Sequence, residues 1–254
     1  TGPSSRLAGP APRRSRCSGG FIHGLLVLIL FDIDGTLTIG GPARSAFQHA
    51  LEETYGTSGP IATHDFSGKT DPRITRELLT AAGCRVRDIE AGLPRFWTRY
   101  LSELKARIDR HPVTVLPGVH ELLAALAARE DVHLGLVTGN VAGGARLKLL
   151  SARLWHHFPV GGFGSDNEVR NELPRVALDR ASAYWGRTFR GTDAVIVGDT
   201  PRDVACGKAV GAATVAVATG RFSRAQLLGT RADRVLPDLT DTTAAIEALT
   251  TPRC

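Results

Sequence analysis

The sequence predicts a three-layer α/β fold around a parallel sheet, interrupted once by an inserted helical domain. Short apolar runs, partly β-branched and without polar alternation, occupy residues 25–31, 134–137, 194–197 and 214–217. That is the pattern of strands buried on both faces. Segments of helical period lie between these runs, as right-handed crossovers require. Residues 40–115 break the alternation, with several helix patterns and no convincing strand.

Residues 1–24 are dominated by Gly, Pro, Ser and Arg, with Pro3, Pro10, Pro12, Gly19 and Gly20 breaking any periodicity, so a disordered basic arm is expected there. The core domain is expected over 25–38 and 117–250, and the helical domain over 39–116. In the latter, Phe47, Leu51 and Tyr55 mark one helix. Ile74 and Leu78 mark a second, starting at Asp71-Pro72 with Asp71 as cap and ending before Gly83. The third, over 89–108, carries Leu93, Phe96, Trp97, Tyr100, Leu101 and Leu104 on a broad stripe. That stripe reads as internal core whose exposed remnants could support a homodimer; monomer and homodimer both stay open. Leu116-Pro117-Gly118 punctuates the return to the sheet. Val119, Leu122, Leu123 and Leu126 then share one helix face, and Leu173, Val176, Ala177 and Tyr184 another. A weaker strand at 234–236 closes the series.

A chain of 254 residues with 43% hydrophobic content builds one or two globular domains. The longest apolar run is seven residues against the roughly 20 that cross a bilayer, so no membrane association is expected. Cys17, Cys84, Cys206 and Cys254 are never at CxxC spacing, which suits free thiols in a reducing cytoplasm. The net charge of +6 is uneven: Arg6, Arg13, Arg14 and Arg16 precede residue 25, leaving 27 basic and 25 acidic residues beyond, a net of +2. With 6% aromatics and no basic stripe, nucleic acid is not an expected partner.

In a parallel α/β sheet the site lies at the carboxyl ends of the strands. The first strand stops on Asp32-Ile33-Asp34-Gly35-Thr36, two carboxylates at i and i+2 that point the same way from an extended chain. Paired acids have divergent proton affinities, so one can be nucleophile or metal ligand while the other moves protons. Thr138-Gly139-Asn140 offers a hydroxyl and backbone N–H groups to a phosphate oxygen. Gly198-Asp199-Thr200-Pro201-Arg202-Asp203 ends a strand on one acid and adds another a helical turn later, oxygen ligands that suit Mg²⁺. After 160–163, Arg170 supplies a cation.

In this order these residues resemble the haloacid dehalogenase superfamily, over about residues 25–250. Asp32 to Thr36 match its first motif in full, Thr138 its second, and Asp199 with Asp203 its fourth. The third is normally a lysine; none lies between Lys148 and Lys208, so Arg170 takes the position, with Arg175 and Arg180 as alternatives. The resemblance implies a Rossmann-like core with an inserted helical cap that closes over the site. The cap's place between the first two motifs implies the subclass of phosphoglycolate phosphatase, β-phosphoglucomutase and phosphonoacetaldehyde hydrolase. It further implies a phosphatase of a small phosphorylated metabolite. Asp32 would be the nucleophile forming an aspartyl-phosphate, and Asp34 the acid and then base. Mg²⁺ would sit among Asp32, the Asp34 carbonyl, Asp199 and Asp203. Thr138, Gly139, Asn140 and Arg170 would hold the phosphate. Ser67-Gly68-Lys69-Thr70-Asp71 resembles the substrate-specificity loop, with Lys69 meeting an anionic leaving group.

A phosphomutase uses the same motifs, and a phosphonate hydrolase would need a cap lysine, Lys69 or Lys105. A catalytically idle binder is the alternative of another class, disfavoured by the intact acids. Gly68-Lys69-Thr70 is no P-loop, because Thr63 stands where its first glycine belongs. His156-His157 lacks a third ligand. Arg221, Arg224, Arg231 and Arg234 read as solvated charges.

Overall fold

The structure, a computed structural model, describes residues 26–251. The basic arm expected over 1–24, with Cys17 and Cys254, lies outside the described residues. Six strands form one parallel sheet: β1 (Val27–Phe31), β4 (Val132–Thr138), β5 (Val160–Phe163), β6 (Ala194–Gly198), β7 (Ala213–Val217) and β8 (Arg234–Leu236). Their spatial order is β5-β4-β1-β6-β7-β8. The chain therefore winds one way from β1 to β4 and β5 and the other way through β6, β7 and β8. This puts the topological switch point, where ligand crevices form, at the end of β1.

Alternate residues of β1 enter different cores, which is why its apolar run is unbroken. Ile29 and Phe31 join Leu134, Leu136, Val195 and Val197 beneath α4 (Val119–Ala127), α5 (Ala142–Ser151) and α9 (Thr242–Thr250). Leu28 and Leu30 join Val137 and Ile196 beneath α6 (Leu173–Trp185) and α7 (Pro201–Ala209). Helix, sheet and helix make the three layers, as expected. One helical pattern needs correction. On α6 the buried face is Leu173, Ala177, Leu178 and Ala181, whereas Tyr184 is exposed and turns its ring edge to Trp185.

Between β1 and α4 lie α1 (Ala43–Tyr55), α2 (Asp71–Ala81) and α3 (Val86–Ile108), with a core of their own built on Phe47, Leu51, Phe96, Tyr100 and Leu104. Phe47 meets Phe96 and Tyr100 edge to face, with both centroid distances 5.1 Å. Chain enters and leaves this helical layer through two strands that periodicity does not reveal: β2 (Thr38–Ile39) and β3 (Thr114–Val115), paired antiparallel. At two residues each they are too short to show a period. Among the described residues no helix is long and apolar enough to cross a membrane.

Candidate active site

Four strand ends converge on one chamber. Asp32 follows β1, Thr138 ends β4, Arg170 lies in a 3₁₀ turn beyond β5, and Asp199 follows β6. Asp32, Thr138, Arg170, Asp199 and Asp203 are all buried. Carboxylate oxygens of Asp32, Asp199 and Asp203 lie within 4.8 Å of one another. Burial and the like charges of Asp203 and Asp32 push the Asp199 carboxyl up to about 8. Burial likewise raises Asp32 to about 6, although Arg170 pulls against it.

Space beside Asp199 is kept open by two glycines. Gly35 has φ +86°, and a Cβ there or on Gly220 would overlap the Asp199 carboxylate. Crowded, buried oxygen donors beside a cradle free of side chains fit a hard divalent cation such as Mg²⁺. The three acids differ in what else holds them. Asp203 is taken up by Arg170, by the Thr200 N–H at 2.9 Å and by the Thr200 hydroxyl at 2.7 Å. Asp199 receives a long bond, 3.4 Å, from the Thr36 hydroxyl and one from its own backbone N–H.

Arg170 answers the third-motif expectation by position. Its Nη2 is 3.0 Å from Asp32 Oδ1 and also bonds Asp203. Burial opposes its charge, but Asp203 and Asp32 outweigh that and hold the guanidinium in its charged form. Its buried Nε has no hydrogen-bond partner among the described residues. Of the two alternatives, Arg180 is committed to Asp166 and the Gly161 carbonyl, and Arg175 is exposed on α6.

The Asp34 carboxylate is not one of the three that converge and is held by Lys148 and Asn140, so its backbone carbonyl is the group left for the metal role expected of it. Lys148 Nζ donates to Asp34 Oδ1 at 2.8 Å and Oδ2 at 2.7 Å, and Asn140 Nδ2 donates to Oδ2 at 2.7 Å. Desolvation works upward on the Asp34 carboxyl, but the Lys148 charge and these hydrogen bonds win and hold it below the ordinary value. Lys148 is the residue that sequence reasoning missed. It is buried on α5 beside Gly144, Ala145 and Leu149, and the signal was a lysine on the apolar face of a helix.

Asn140 was expected to bind substrate; here its amide is spent on neighbours. Nδ2 also donates to Thr138 Oγ1 at 2.8 Å, and Oδ1 accepts from Lys148 at 2.7 Å. Lys69 lines the chamber, but its ammonium is 2.5 Å from Glu77, a carboxylate that also holds Arg73. Lys69 therefore meets the chamber as an ion-paired ammonium. Lys105 is exposed on α3. Arg221 remains 72% exposed yet pairs with Asp65 at 3.1 Å, so it is not merely solvated.

The segment around Lys69 is seated on the strand ends. Thr70, not Asp71, caps α2, accepting from Arg73 N–H, and its hydroxyl donates to the Glu168 carbonyl at 2.7 Å. This frees the Asp71 carboxylate to accept from Val141 N–H at 2.9 Å, while the Asp71 N–H donates to the Gly139 carbonyl at 2.8 Å. Gly139 is required because a Cβ there would overlap the Lys69 carbonyl. Arg202 Nη1 adds a bond to the Ser67 carbonyl at 2.6 Å. The chamber, open on one side, measures about 600 Å³.

Comparison with known proteins agrees with this geometry. A family model described as haloacid dehalogenase-like hydrolase matches residues 29–217. A phosphoglycolate phosphatase of Rhodospirillum rubrum is 28% identical over 207 residues, covering 77% of this chain and 80% of that protein. Phosphoglycolate phosphatase 1 of Pseudomonas aeruginosa is 27% identical over 205 residues, covering 76% of this chain and 70% of that protein. A crystal structure of a hydrolase from Pseudomonas syringae superposes with a TM-score of 0.66 at 20% identity, over 87% of this chain and 98% of that one.

Proposed function

The chain belongs to the haloacid dehalogenase-like hydrolase family, and from that premise we propose that it is a Mg²⁺-dependent phosphatase of small phosphomonoesters. The observation that carries the proposal is the placement of Asp32, 3.0 Å from Arg170 and within reach of Asp199 and Asp203. A carboxylate nucleophile, a fixed cation and a divalent-metal donor set are the parts that phosphoryl transfer uses. Phosphoglycolate, named for the bacterial relatives, is the first compound to try.

In this reading one Asp32 oxygen attacks phosphorus while the bond to the leaving oxygen breaks, giving an aspartyl-phosphate and an alcohol. Asp34 delivers the proton that the departing oxygen needs. Lys148 and Asn140 keep Asp34 ionised before substrate arrives; an approaching dianionic phosphate favours its protonation. Asp34 then takes a proton from water as the water oxygen attacks phosphorus, releasing phosphate and restoring Asp32. Arg170 and Thr138 hold the equatorial oxygens, Arg170 with an Nε that has no other partner among the described residues. Asp32, Asp199 and the Asp34 carbonyl would hold Mg²⁺, backed by Asp203. When bound, the ion screens the anionic nucleophile from the anionic phosphate and draws electron density from it.

Helices α1 to α3 serve as the cap over residues 39–116, and the loop through Lys69 shields the chamber from water. The protein works as a monomer or homodimer, and free Cys84 and Cys206 suit a reducing cytoplasm. The test is phosphate release from a panel of phosphomonoesters, with Mg²⁺ and with chelator, for wild type and Asp32→Asn. Metal-dependent release that the variant lacks supports the proposal; undiminished release by Asp32→Asn would sink it.

A further inference from the structure

The chamber floor is set out for phosphate, whereas its roof is apolar. Phe47 and Phe66 meet there edge to face with centroids 6.2 Å apart, and Ile74 extends the same wall. Ile39, at the mouth, is 46% exposed. The cations above the floor are already engaged. Lys69 is held by Glu77 and Arg221 by Asp65. Arg44 donates to the carbonyls of Ile61 and Ala62, and its guanidinium carbon lies 4.9 Å from the Phe66 ring centroid. Arg44 thus braces the aromatic wall. A two-carbon acid would leave most of a 600 Å³ chamber, with the exposed parts of Phe66 and Ile39, facing water, while Phe47 and Ile74, each 2% exposed, back that wall from the helical core.

We propose that the substrate is the phosphomonoester of an alcohol bearing a bulky apolar group, preferably an aromatic ring, selected by Phe66 and Ile39 over the buried support of Phe47 and Ile74. This rests on the phosphatase reading above and narrows it. The contacts act on the part of the molecule that departs with the alcohol, so they discriminate between esters without altering the groups around phosphorus.

The test compares phosphate release from benzyl phosphate, ethyl phosphate and phosphoglycolate in Mg²⁺. Benzyl and ethyl alcohols are both primary and of similar acidity, so a difference between their esters reports the chamber rather than the leaving group's chemistry. The kcat/KM for benzyl phosphate is expected to exceed the other two by about tenfold or more, and Phe66→Ala to narrow that ratio. Phosphoglycolate or ethyl phosphate turned over as well as benzyl phosphate, or better, would overturn the inference and leave the phosphatase reading standing. Calorimetry of the wild-type protein with benzylphosphonate and ethylphosphonate needs no turnover. Tighter benzylphosphonate binding without hydrolysis of any ester would support the chamber assignment and remove the phosphatase reading. Equal or weaker binding than ethylphosphonate would overturn the assignment.

Discussion

Lys148 Nζ lies 2.8 and 2.7 Å from the two carboxylate oxygens of Asp34, a buried ammonium gripping the second acid of the Asp32–Asp34 pair. Its Asn140 bond fixes the same ammonium from the side. The two acids after β1 thereby have different partners and different proton affinities, Asp32 raised and Asp34 lowered.

Replacing Lys148 by Met removes the charge that lowers the Asp34 carboxyl. Its ionisation then moves to higher pH, and the alkaline limb that a proton-donating Asp34 sets in the pH–rate profile follows it upward. With the acid less well placed, kcat is expected to fall by about tenfold to a hundredfold, within the range that positioned acid–base groups contribute. KM is expected to change less. Steady-state kinetics across pH check both, with Lys148→Arg restoring part of the loss.

The raised carboxyls make a linked prediction about stability. Asp199 at about 8, and Asp32 and Asp71 at about 6, bind protons in the folded chain at pH values where the unfolded chain has lost them. Folding stability in chelator therefore falls as pH rises from about 4 to about 8, because the native state is then the one holding more protons. Saturating Mg²⁺ is expected to oppose the fall, raising Tm more at pH 8 than at pH 5. Thermal melts with and without chelator measure it, and Asp199→Asn is expected to flatten the chelator curve. A metal-free protein that melts higher at pH 8 than at pH 5 would contradict the assignment of these carboxyls.

Arg170 is the counter-charge for Asp32 and Asp203 at once. Arg170→Met leaves both acids buried without it, and breaking a buried pair in this way costs about 3–5 kcal/mol. Urea unfolding in chelator is expected to show a loss of that order, with Mg²⁺ restoring part of it. Arg170→Lys keeps a charge but not the two-way reach of the guanidinium, and is expected to retain stability better than activity.

Gly139 separates β4 from the loop that carries Lys69. Gly139→Ala would force that loop off the strand end, breaking the Asp71–Gly139 and Asp71–Val141 bonds. The expected result is at least a tenfold fall in kcat/KM with faster proteolysis of the 65–71 segment, while the far-UV spectrum is unchanged. Limited proteolysis followed by mass spectrometry locates the cut.

The sheet is legible because strands buried on both faces are apolar nearly throughout, as β1 and β6 are and as β7 is apart from Thr214. Acids that stop such strands stand out for the same reason, so Asp32 and Asp199 could be placed before any coordinates. Contacts made between elements left no local trace. The Lys69–Glu77 pair depends on how α2 turns back, and the Lys148–Asp34 pair joins residues 114 positions apart. Asp71 was read as a cap because its chemistry suits one, but Thr70 precedes it and takes that role. Tyr184 repeats the helical period of Leu173 yet lies in the last turn of α6, where the packed face has given way to solvent.

The pairing of β2 with β3 brings Leu37 and Leu116 together, the Leu116 N–H donating to the Leu37 carbonyl at 3.0 Å. The helical layer thus departs from and returns to nearly one point, and the sheet closes behind it without threading. A segment attached in this manner can lengthen, shrink or be exchanged for a short turn while the strand order stays as it is. In the proposed reading, selectivity for the alcohol and chemistry at phosphorus lie in separate stretches of chain, joined at that doorway and by the bonds that seat the Lys69 segment on the strand ends.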